Sequence, residues 1–454
     1  MPYIANTPED QRAMLDSIGL GTIEDLFAAI PPELRLQRPL AIPPALTELE
    51  LTAHMQRLAD KNSPAGKKVC FLGGGSYDHF IPAIVDYVAS RGEFYTSYTP
   101  YQPEASQGNL QVFFEYQTLI TQLTGMDVSN ASLYDGGSAA AEAVLMACSA
   151  TGRHGRVVTA RSVHPEYRQI LVTYLANLGI ELVTVGTPDG VIAPAELAAA
   201  VTQDTACVLV QHPNFFGCLE SVDELAKIAH AAGALFVVSV DPISLGLLNR
   251  PGDYGADIVV GEGQSLGSPM SFGGPYLGIM ACREKFVRRM PGRLAGETVD
   301  RRGKRCFVLT LQTREQHIRR EKATSNICTN QGLFALRAAV YLAALGPQGL
   351  RETAESCLHK ARYAAGQLTS QSSLRSAFPR PTFKEFVVRA PGQDVERLIQ
   401  DAAERGYLAG VPLARWYDEL SDCFLVSVTE RRTRDEIDGL AACLEELTVA
   451  SHAK

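Results

Sequence analysis

Short apolar segments alternate with helical segments from about Lys67 to Cys282, and this alternation most constrains the fold. The apolar segments lack an alternating polar face, which is typical of strands covered by helices on both sides. The predicted strands are Lys68–Leu72, Arg156–Ala160, Glu181–Val185, Ala206–Gln211, Ala234–Val240, Asp257–Gly261 and Leu277–Cys282. The predicted helices between them include Gln107–Thr124, Ala139–Ala150, Pro165–Leu178, Pro194–Val201 and Val222–Ala232. The pattern predicts an α/β protein with a large, mostly parallel sheet.

The chain is predicted to have three parts. Residues 1–66 form a helical arm, in which Thr7 is a helix N-cap and Pro8 takes the first helical position. Such an arm is expected to cover its own large domain or a partner subunit. Residues 67–330 form the large α/β domain, and residues 331–454 form a small C-terminal α+β domain. This layout resembles the enzymes of pyridoxal phosphate (PLP) fold type I, the aspartate-aminotransferase type.

Composition argues against several classes of function. The formal net charge is −8, without a long run of one sign, so neither nucleic acid nor an anionic membrane is an expected partner. We expect no membrane span and no secretory signal. Ten cysteines without a Cys-x-x-Cys pair predict reduced thiols in a cytoplasmic protein. Nine histidines without ligand spacing predict no bound metal.

A glycine turn precedes the predicted helix Ala139–Ala150. Gly136 and Gly137 allow close approach to the backbone, and Ser138 follows them. The free amides at the start of the helix attract anions, and enzymes of this fold type hold the PLP phosphate there. The alternative is an ordinary turn with Ser138 as the N-cap.

Two further polar residues end predicted strands. Asp241 follows Ala234–Val240, at a position where PLP enzymes place an aspartate against the pyridine nitrogen. His164 follows Arg156–Ala160 and could stack on a cofactor. The alternatives are a turn-forming aspartate and a solvated histidine.

The chain has no lysine between Lys227 and Lys285. A PLP enzyme needs a lysine amine that holds the cofactor as a Schiff base. The segment that should supply it reads GEGQSLGSPMSFGGP, with Gln264 and Ser265 near the expected position. Neither side chain forms a Schiff base, so the chain either is no such enzyme or is half of one.

The segment Glu93–Gly108 is rich in aromatic, hydroxyl and amide side chains. Loops of this composition usually line a site or an interface. A compact loop packed on the core is the alternative. The candidate lining residues are Tyr95, Tyr98, Ser106 and Gln107.

A second polar segment, Thr313–Asn326, is basic and leads into a long predicted helix. Its cations could hold a phosphate or a carboxylate, or they could form a solvated, salt-bridged surface. The corresponding segment of dimeric PLP enzymes commonly crosses into the neighbour's active site. Thr324 and Asn326 are therefore candidate residues of a shared site.

Three motifs carry a resemblance to one family. They are EFYTSYTPYQPEASQGNL, GMDVSNASLYDGGSAAAE and GRLAGETVDRRGKRCFVLTLQTREQHIRREKATSN. The chain resembles the first (α) subunit of two-subunit glycine cleavage system P-proteins, that is, of glycine dehydrogenase (decarboxylating). The resemblance covers essentially the whole chain.

The resemblance implies fold type I and an α2β2 heterotetramer in which subunit 2 (β) binds PLP covalently through its lysine. The implied reaction decarboxylates glycine, releases CO2 and transfers the aminomethyl group to the lipoyl arm of H-protein; T- and L-proteins are further members of the system. This chain would complete the site with Tyr95, Tyr98, Ser106 and Gln107 on one side and Thr324 and Asn326 on the other. Gly136, Gly137, Ser138, His164 and Asp241 would be a degenerate cofactor frame.

Two other hypotheses remain. The chain could be an independent PLP enzyme that uses a remote lysine such as Lys322. It could also be a structural or regulatory pseudoenzyme subunit without contacts to the active site.

Overall fold

A computed structural model describes residues 6–370 and 373–452. Contacts divide the chain into two units, Met1–Asn62 and Ser63–Lys454. The helices are α1 (Pro8–Ser17), α2 (Glu48–Ala59), α3 (Ala83–Ala89), α4 (Gly92–Tyr95), α5 (Gln107–Thr124), α6 (Gly136–Thr151), α7 (Pro165–Leu175), α8 (Pro194–Ala200), α9 (Val222–Ala231), α10 (Gln316–Arg319), α11 (Gly332–Thr369), α12 (Val395–Glu404) and α13 (Arg434–His452).

The strands are short. They are β1 (Val69–Cys70), β2 (Val128–Ser129), β3 (Arg156–Ala160), β4 (Glu181–Val185), β5 (Thr205–His212), β6 (Leu235–Val240), β7 (Ile258–Glu262), β8 (Gly278–Cys282), β9 (Ala295–Val299), β10 (Arg305–Leu309), β11 (Arg375–Ser376), β12 (Glu385–Arg389), β13 (Tyr407–Leu408), β14 (Val411–Pro412) and β15 (Cys423–Ser427).

The first unit is held by local hydrogen bonds. Thr7 and Asp10 form a reciprocal capping box at α1, and Thr47 and Glu50 form another at α2. Within residues 6–62, which the structure describes, no residue is buried. Large apolar side chains such as Leu49 are exposed. Capping rather than a hydrophobic core therefore fixes these helices.

The second unit contains a seven-stranded sheet of order β2-β8-β7-β6-β5-β3-β4. Strands β4, β3, β5, β6 and β7 pair in parallel, whereas β8 and β2 are antiparallel at one edge. The predicted alternation of strands and helices is confirmed. The two-residue strand β2 was not predicted, because so short a segment has no periodicity.

Helices cover both faces of this sheet. Along β6, Val238 faces the cluster that contains residues of α5, α9 and α11, whereas Val237 faces the cluster with residues of α6. Successive side chains of a strand point to opposite faces, so both faces of the sheet are buried. The carboxyl ends of the parallel strands meet along one edge of the sheet.

A second, four-stranded antiparallel sheet has the order β11-β12-β15-β14. Phe71 packs in its core, and the preceding strand β1 pairs in parallel with β13. The first strand of the predicted large domain thus contacts the C-terminal region.

Helix α11 is long and apolar enough, by length and composition, to cross a membrane. It bends where Gly346 adopts a positive φ before Pro347. Its side chains Tyr341 and Leu342 are buried in the same core cluster as the sheet. The apolar composition is thus accounted for by packing within this unit.

Candidate functional site

The carboxyl ends of three parallel strands carry the polar residues of the candidate site. His164 follows β3, Asp241 follows β6, and Glu262 ends β7. Parallel strands place such residues along one edge of a sheet, where ligands of open α/β folds bind.

The glycine turn opens α6, but its first amide already has an acceptor within the chain. The Gly136 amide donates to Glu262 Oε2 at 2.9 Å. The other oxygen of Glu262 accepts from the amides of Gln264 at 2.9 Å and Leu277 at 3.0 Å. Burial raises the pKa of Glu262 to about 8, although the three backbone donors act in the opposite direction.

The helix starts earlier than the sequence predicted. Asp135 is the N-cap and forms a capping box with Ser138, so the alternative of Ser138 as the N-cap is wrong. The reason is that Asp135 also accepts strongly at a helix start and lies three residues before Ser138. The helix therefore begins at Gly136 instead of Ala139.

The two glycines allow close packing. A Cβ atom on Gly136 would lie 2.2 Å from the Tyr167 hydroxyl, and one on Gly137 would lie 2.5 Å from Ile170 Cδ1. Helix α7 therefore packs directly against the start of α6.

Asp241 has a cationic partner from a distant part of the chain. Lys384 Nζ lies 2.8 Å from Asp241 Oδ2, and the lysine side chain is only 1% exposed. The same ammonium lies 3.0 Å from His79 Nε2 and 3.4 Å from the centroid of the Tyr77 ring. The ion pair and the aromatic face together compensate the burial of this cation.

His164 is also engaged within the protein. Its Nε2 lies 2.7 Å from the Gly74 carbonyl, and its Nδ1 accepts the Glu166 amide at 3.2 Å. The imidazole stacks on Tyr167 with a centroid distance of 4.5 Å. Burial lowers the pKa of His164, which favours the neutral ring. The alternative of a solvated histidine is therefore wrong, because the side chain is buried and one face of its ring stacks on a tyrosine.

The position predicted for the missing lysine is buried. Gln264 Oε1 accepts the Tyr77 amide at 2.9 Å, and its Nε2 donates to the carbonyls of Tyr77 and Ser268. Ser265 is buried beside it.

These contacts test whether the frame fits PLP. The site that would bind a phosphate is satisfied by Glu262, and the aspartate that would bind a ring nitrogen is paired with Lys384. At the position of the anchoring lysine stand Gln264 and Ser265. The residues of this frame therefore do not fit the cofactor.

The loop with the predicted tyrosines is exposed. Tyr95 is 70% exposed and Tyr98 is 95% exposed. Both line a cavity of about 240 Å³ together with Asn330, which accepts a hydrogen bond from the Tyr101 hydroxyl at 2.6 Å. The loop thus lies beside the chain that follows Asn326.

Ser106 and Gln107 differ from these tyrosines. Ser106 precedes α5 and does not cap it with its side chain. Gln107 Nε2 donates to the Phe307 carbonyl at 2.8 Å, and its Oε1 accepts the Phe307 amide at 2.8 Å. Gln107 therefore ties α5 to the β9–β10 hairpin, and a lining role for it stays a prediction.

Thr324 and Asn326 are both exposed, as is Lys322. The beginning of their segment is anchored, because the buried Arg314 donates to the Gly292 carbonyl at 2.9 Å. Asn330, just after this segment, contacts Tyr101 of the tyrosine loop, and Arg293 lies over the Tyr101 ring while it pairs with Glu315 of the segment. A shared role for Thr324 and Asn326 stays a prediction.

The sequence reasoning missed Glu262 and Lys384. Glu262 could have been predicted from the sequence, because it ends a buried strand just as Asp241 follows one. The sequence indicates Lys384 less clearly, as a charged residue directly before the apolar strand β12. Its partner could not be read from the sequence.

Comparison with solved structures first defines the class of protein. A sphingosine-1-phosphate lyase from Burkholderia pseudomallei is 14% identical, with a TM-score of 0.60 over 93% of this chain and 94% of the other. A structure named C-DES, in which glycine is linked covalently to a PLP cofactor, has a TM-score of 0.61 at 14% identity over 84% of this chain and 97% of the other. The fold is therefore one that PLP-dependent enzymes use.

Closer relatives define the family. The glycine cleavage system P-protein family matches residues 1–444, and the chain belongs to this family. Probable glycine dehydrogenase (decarboxylating) subunit 1 of Desulforamulus reducens is 52% identical over 98% of this chain and 99% of its own length. The homologous protein of Geotalea uraniireducens is 53% identical over the same shares.

One solved structure is much more similar than the lyase. A glycine decarboxylase (P-protein) of the glycine cleavage system, in inhibitor-bound form, is 46% identical with a TM-score of 0.91 over 98% of this chain and 100% of the other. The resemblance inferred from the three sequence motifs is confirmed.

Proposed function

We infer that this chain is the subunit of a glycine decarboxylase that lacks the PLP lysine. The observation that carries this inference is the match to the P-protein structure and to the subunit 1 relatives over nearly the full chain. Together with a lysine-bearing second subunit, it decarboxylates glycine, releases CO2 and transfers the aminomethyl group to the lipoyl arm of H-protein. T- and L-proteins act in the same system.

We propose that PLP is bound covalently by the partner subunit in an α2β2 heterotetramer. Two observations support this division. The stretch between Lys227 and Lys285 contains no lysine, and the frame around Asp241 is satisfied by the chain's own residues. The ten free cysteines are consistent with our further proposal that the complex is cytoplasmic.

The contribution of this chain to the reaction is proposed to come from its surface. Tyr95 and Tyr98 carry exposed phenol groups, and Thr324 and Asn326 carry exposed polar groups. Such side chains can line a partner's site, exclude water there and orient the substrate by hydrogen bonds. Ser106 is a further candidate at the start of α5.

The test is exchange of the glycine carboxyl group with CO2 in the reconstituted complex. Tyr95→Phe and Asn326→Ala should each lower the exchange rate roughly fivefold or more, the equivalent of one lost hydrogen bond. Tyr363→Phe is the matched control, because the hydroxyl of this tyrosine donates to Asp438 of α13 and to neither segment.

Sedimentation of the same complexes separates a loss of chemistry from a loss of assembly. If the complexes assemble normally and the exchange rate stays unchanged in both variants, these residues do not line the site. That outcome would favour a purely structural subunit.

A further inference from the structure

A continuous set of contacts joins the start of α6, where Glu262 binds the Gly136 amide, to Asp241, which pairs with Lys384. From Gly136 it runs through Glu262 to the Gln264 amide, and the Gln264 side chain then binds the backbone of Tyr77. The Tyr77 ring lies under Lys384, which pairs with Asp241. All of these side chains are at most slightly exposed.

We propose that Glu262 and Lys384 are internal substitutes for the phosphate and the protonated ring nitrogen of PLP. The carboxyl group of Glu262 occupies the amide at the start of α6, and the ammonium of Lys384 occupies Asp241. The frame is thereby held together and closed to the cofactor. A lysine at position 264 or 265 is consequently not sufficient to restore PLP binding.

The two groups match the chemistry of what they replace. A phosphate oxygen accepts amide hydrogens at a helix start, and one carboxyl oxygen of Glu262 accepts the Gly136 amide at the start of α6. The other oxygen accepts the Gln264 and Leu277 amides, which hold the carboxyl group in place. A pyridinium nitrogen presents a cationic N–H to the aspartate, and Lys384 presents a cationic N–H at 2.8 Å.

Packing around the frame points in the same direction. Tyr167 fills the space beside Gly136 and also stacks on His164. Glu385, which follows Lys384 and begins β12, accepts the Gly74 amide at 2.7 Å and the Tyr77 hydroxyl at 2.9 Å. These groups are thus directed to other residues of the chain, whereas the buried Ser265 hydroxyl, at the position of the missing lysine, has no hydrogen-bond partner among the described residues.

The first experiment opens the anion position and probes it with inorganic phosphate. Glu262→Ala leaves the amides of Gly136, Gln264 and Leu277 without their acceptor. The thermal midpoint of this variant, in complex with the partner subunit, should rise saturably with phosphate at constant ionic strength. A variant that folds only in phosphate shows the same effect in stronger form.

Glu220→Ala is the matched control. Glu220 is buried and its carboxylate accepts three hydrogen bonds, from Ser162, Asn214 and the Ile192 amide, none of which is a backbone amide in the first turn of a helix. Neither this variant nor the wild type should show the saturable rise. An equal response of wild type and Glu262→Ala would overturn the proposal, as would the absence of a response in Glu262→Ala.

The second experiment includes two single lysine variants whose result does not depend on folding of the Glu262 variant. Gln264→Lys and Ser265→Lys are each prepared in the complete complex, incubated with PLP and reduced with borohydride. Intact-mass spectrometry then reports pyridoxal on this chain separately from the partner. Both single variants should remain unlabelled, and adding Glu262→Ala and Lys384→Met should permit labelling of the new lysine.

Labelling of a single lysine variant to the level of the multiple variant would show that the frame is open, and the internal substitutes would then be refuted. Failure of both multiple variants to label would refute them as well. Neither readout depends on glycine turnover, so the result is independent of the proposed decarboxylase function.

Discussion

The cofactor frame and the loop Glu93–Gly108 differ in what their side chains contact. The polar groups of the frame are paired within the chain, whereas the tyrosines of the loop are exposed to solvent. In the frame, Asp241 and Gly136 have partners that the chain itself supplies. In the loop, Tyr95 and Tyr98 present most of their aromatic surface to solvent. Exposed aromatic side chains are typical of interfaces, and satisfied buried groups are typical of a structural core. This difference underlies our proposal that the frame residues serve folding and that the loop contacts the partner subunit.

Removal of Lys384 should have the largest effect. Lys384→Met leaves Asp241 buried without its counter-ion, so the free energy of unfolding should fall by about 3–5 kcal/mol. Denaturant unfolding measures this change. Arg351→Met is the control, because it breaks only the exposed pair with Glu355 and should cost about 0.5 kcal/mol or less. Equal losses in the two variants would remove the contrast between interior and surface.

Truncation of Tyr98 should affect assembly instead of stability. In Tyr98→Ala the affinity for the partner subunit should fall about tenfold or more, as for an aromatic anchor of an interface. The free energy of unfolding of the isolated chain should change by no more than about 0.5 kcal/mol, because the side chain is 95% exposed. Calorimetry measures the affinity for the partner subunit, and denaturant unfolding measures the stability of the isolated chain. An unchanged affinity would place the loop outside the interface.

Gln107 lies between these two extremes. Gln107→Leu removes the amide that pairs with both backbone groups of Phe307, and the expected loss is about 1–2 kcal/mol in the free energy of unfolding. Gln111→Leu, on the same helix, removes only a contact with Glu115 and serves as the control. If Gln107→Leu instead lowers glycine exchange without loss of stability, Gln107 belongs with the surface residues.

The pH dependence of unfolding should be gradual. Burial raises the pKa of Glu262 to about 8, and burial raises the pKa of Glu142 and of Glu385 to about 7, from 4.5. Folding therefore takes up protons at these groups, and their stabilising contribution falls as pH rises from about 4.5 to about 8. Denaturant unfolding across this range measures the slope. A rise in stability over the same range would contradict the assignment.

Glu430 adds the opposite dependence at low pH. Burial alone would raise its pKa, but the contact with His79 outweighs burial, and the pKa of Glu430 falls to about 2. Its contribution is present above its unfolded pKa of about 4.5 and is lost as pH falls toward 2. Glu430→Gln should therefore reduce the loss of unfolding free energy as the pH falls from about 4.5 toward 2.

Much of the fold was predictable, because its elements have strong local signals. Strand Arg156–Ala160 and helix Gln107–Thr124 were predicted with the bounds that the structure shows. The start of α6 was predicted three residues late, because Asp135 competes with Ser138 as the cap. Of the candidate site, Asp241 and His164 were found from their positions at strand ends. The acceptor of the Gly136 amide was not found, since it comes from another strand.

The sequence by itself determined that this chain has strands buried on both faces and no lysine near Gln264. Both are properties of the local sequence, so neither depends on how the helices and strands pack. Only the tertiary structure decided that Lys384 meets Asp241 and that Glu262 meets the start of α6. These pairs join residues far apart in the chain, and their contact depends on how β12 and β7 pack against their neighbours. The sequence shows that the Schiff-base lysine is absent. The tertiary structure shows which residues of the chain pair with Asp241 and with the Gly136 amide.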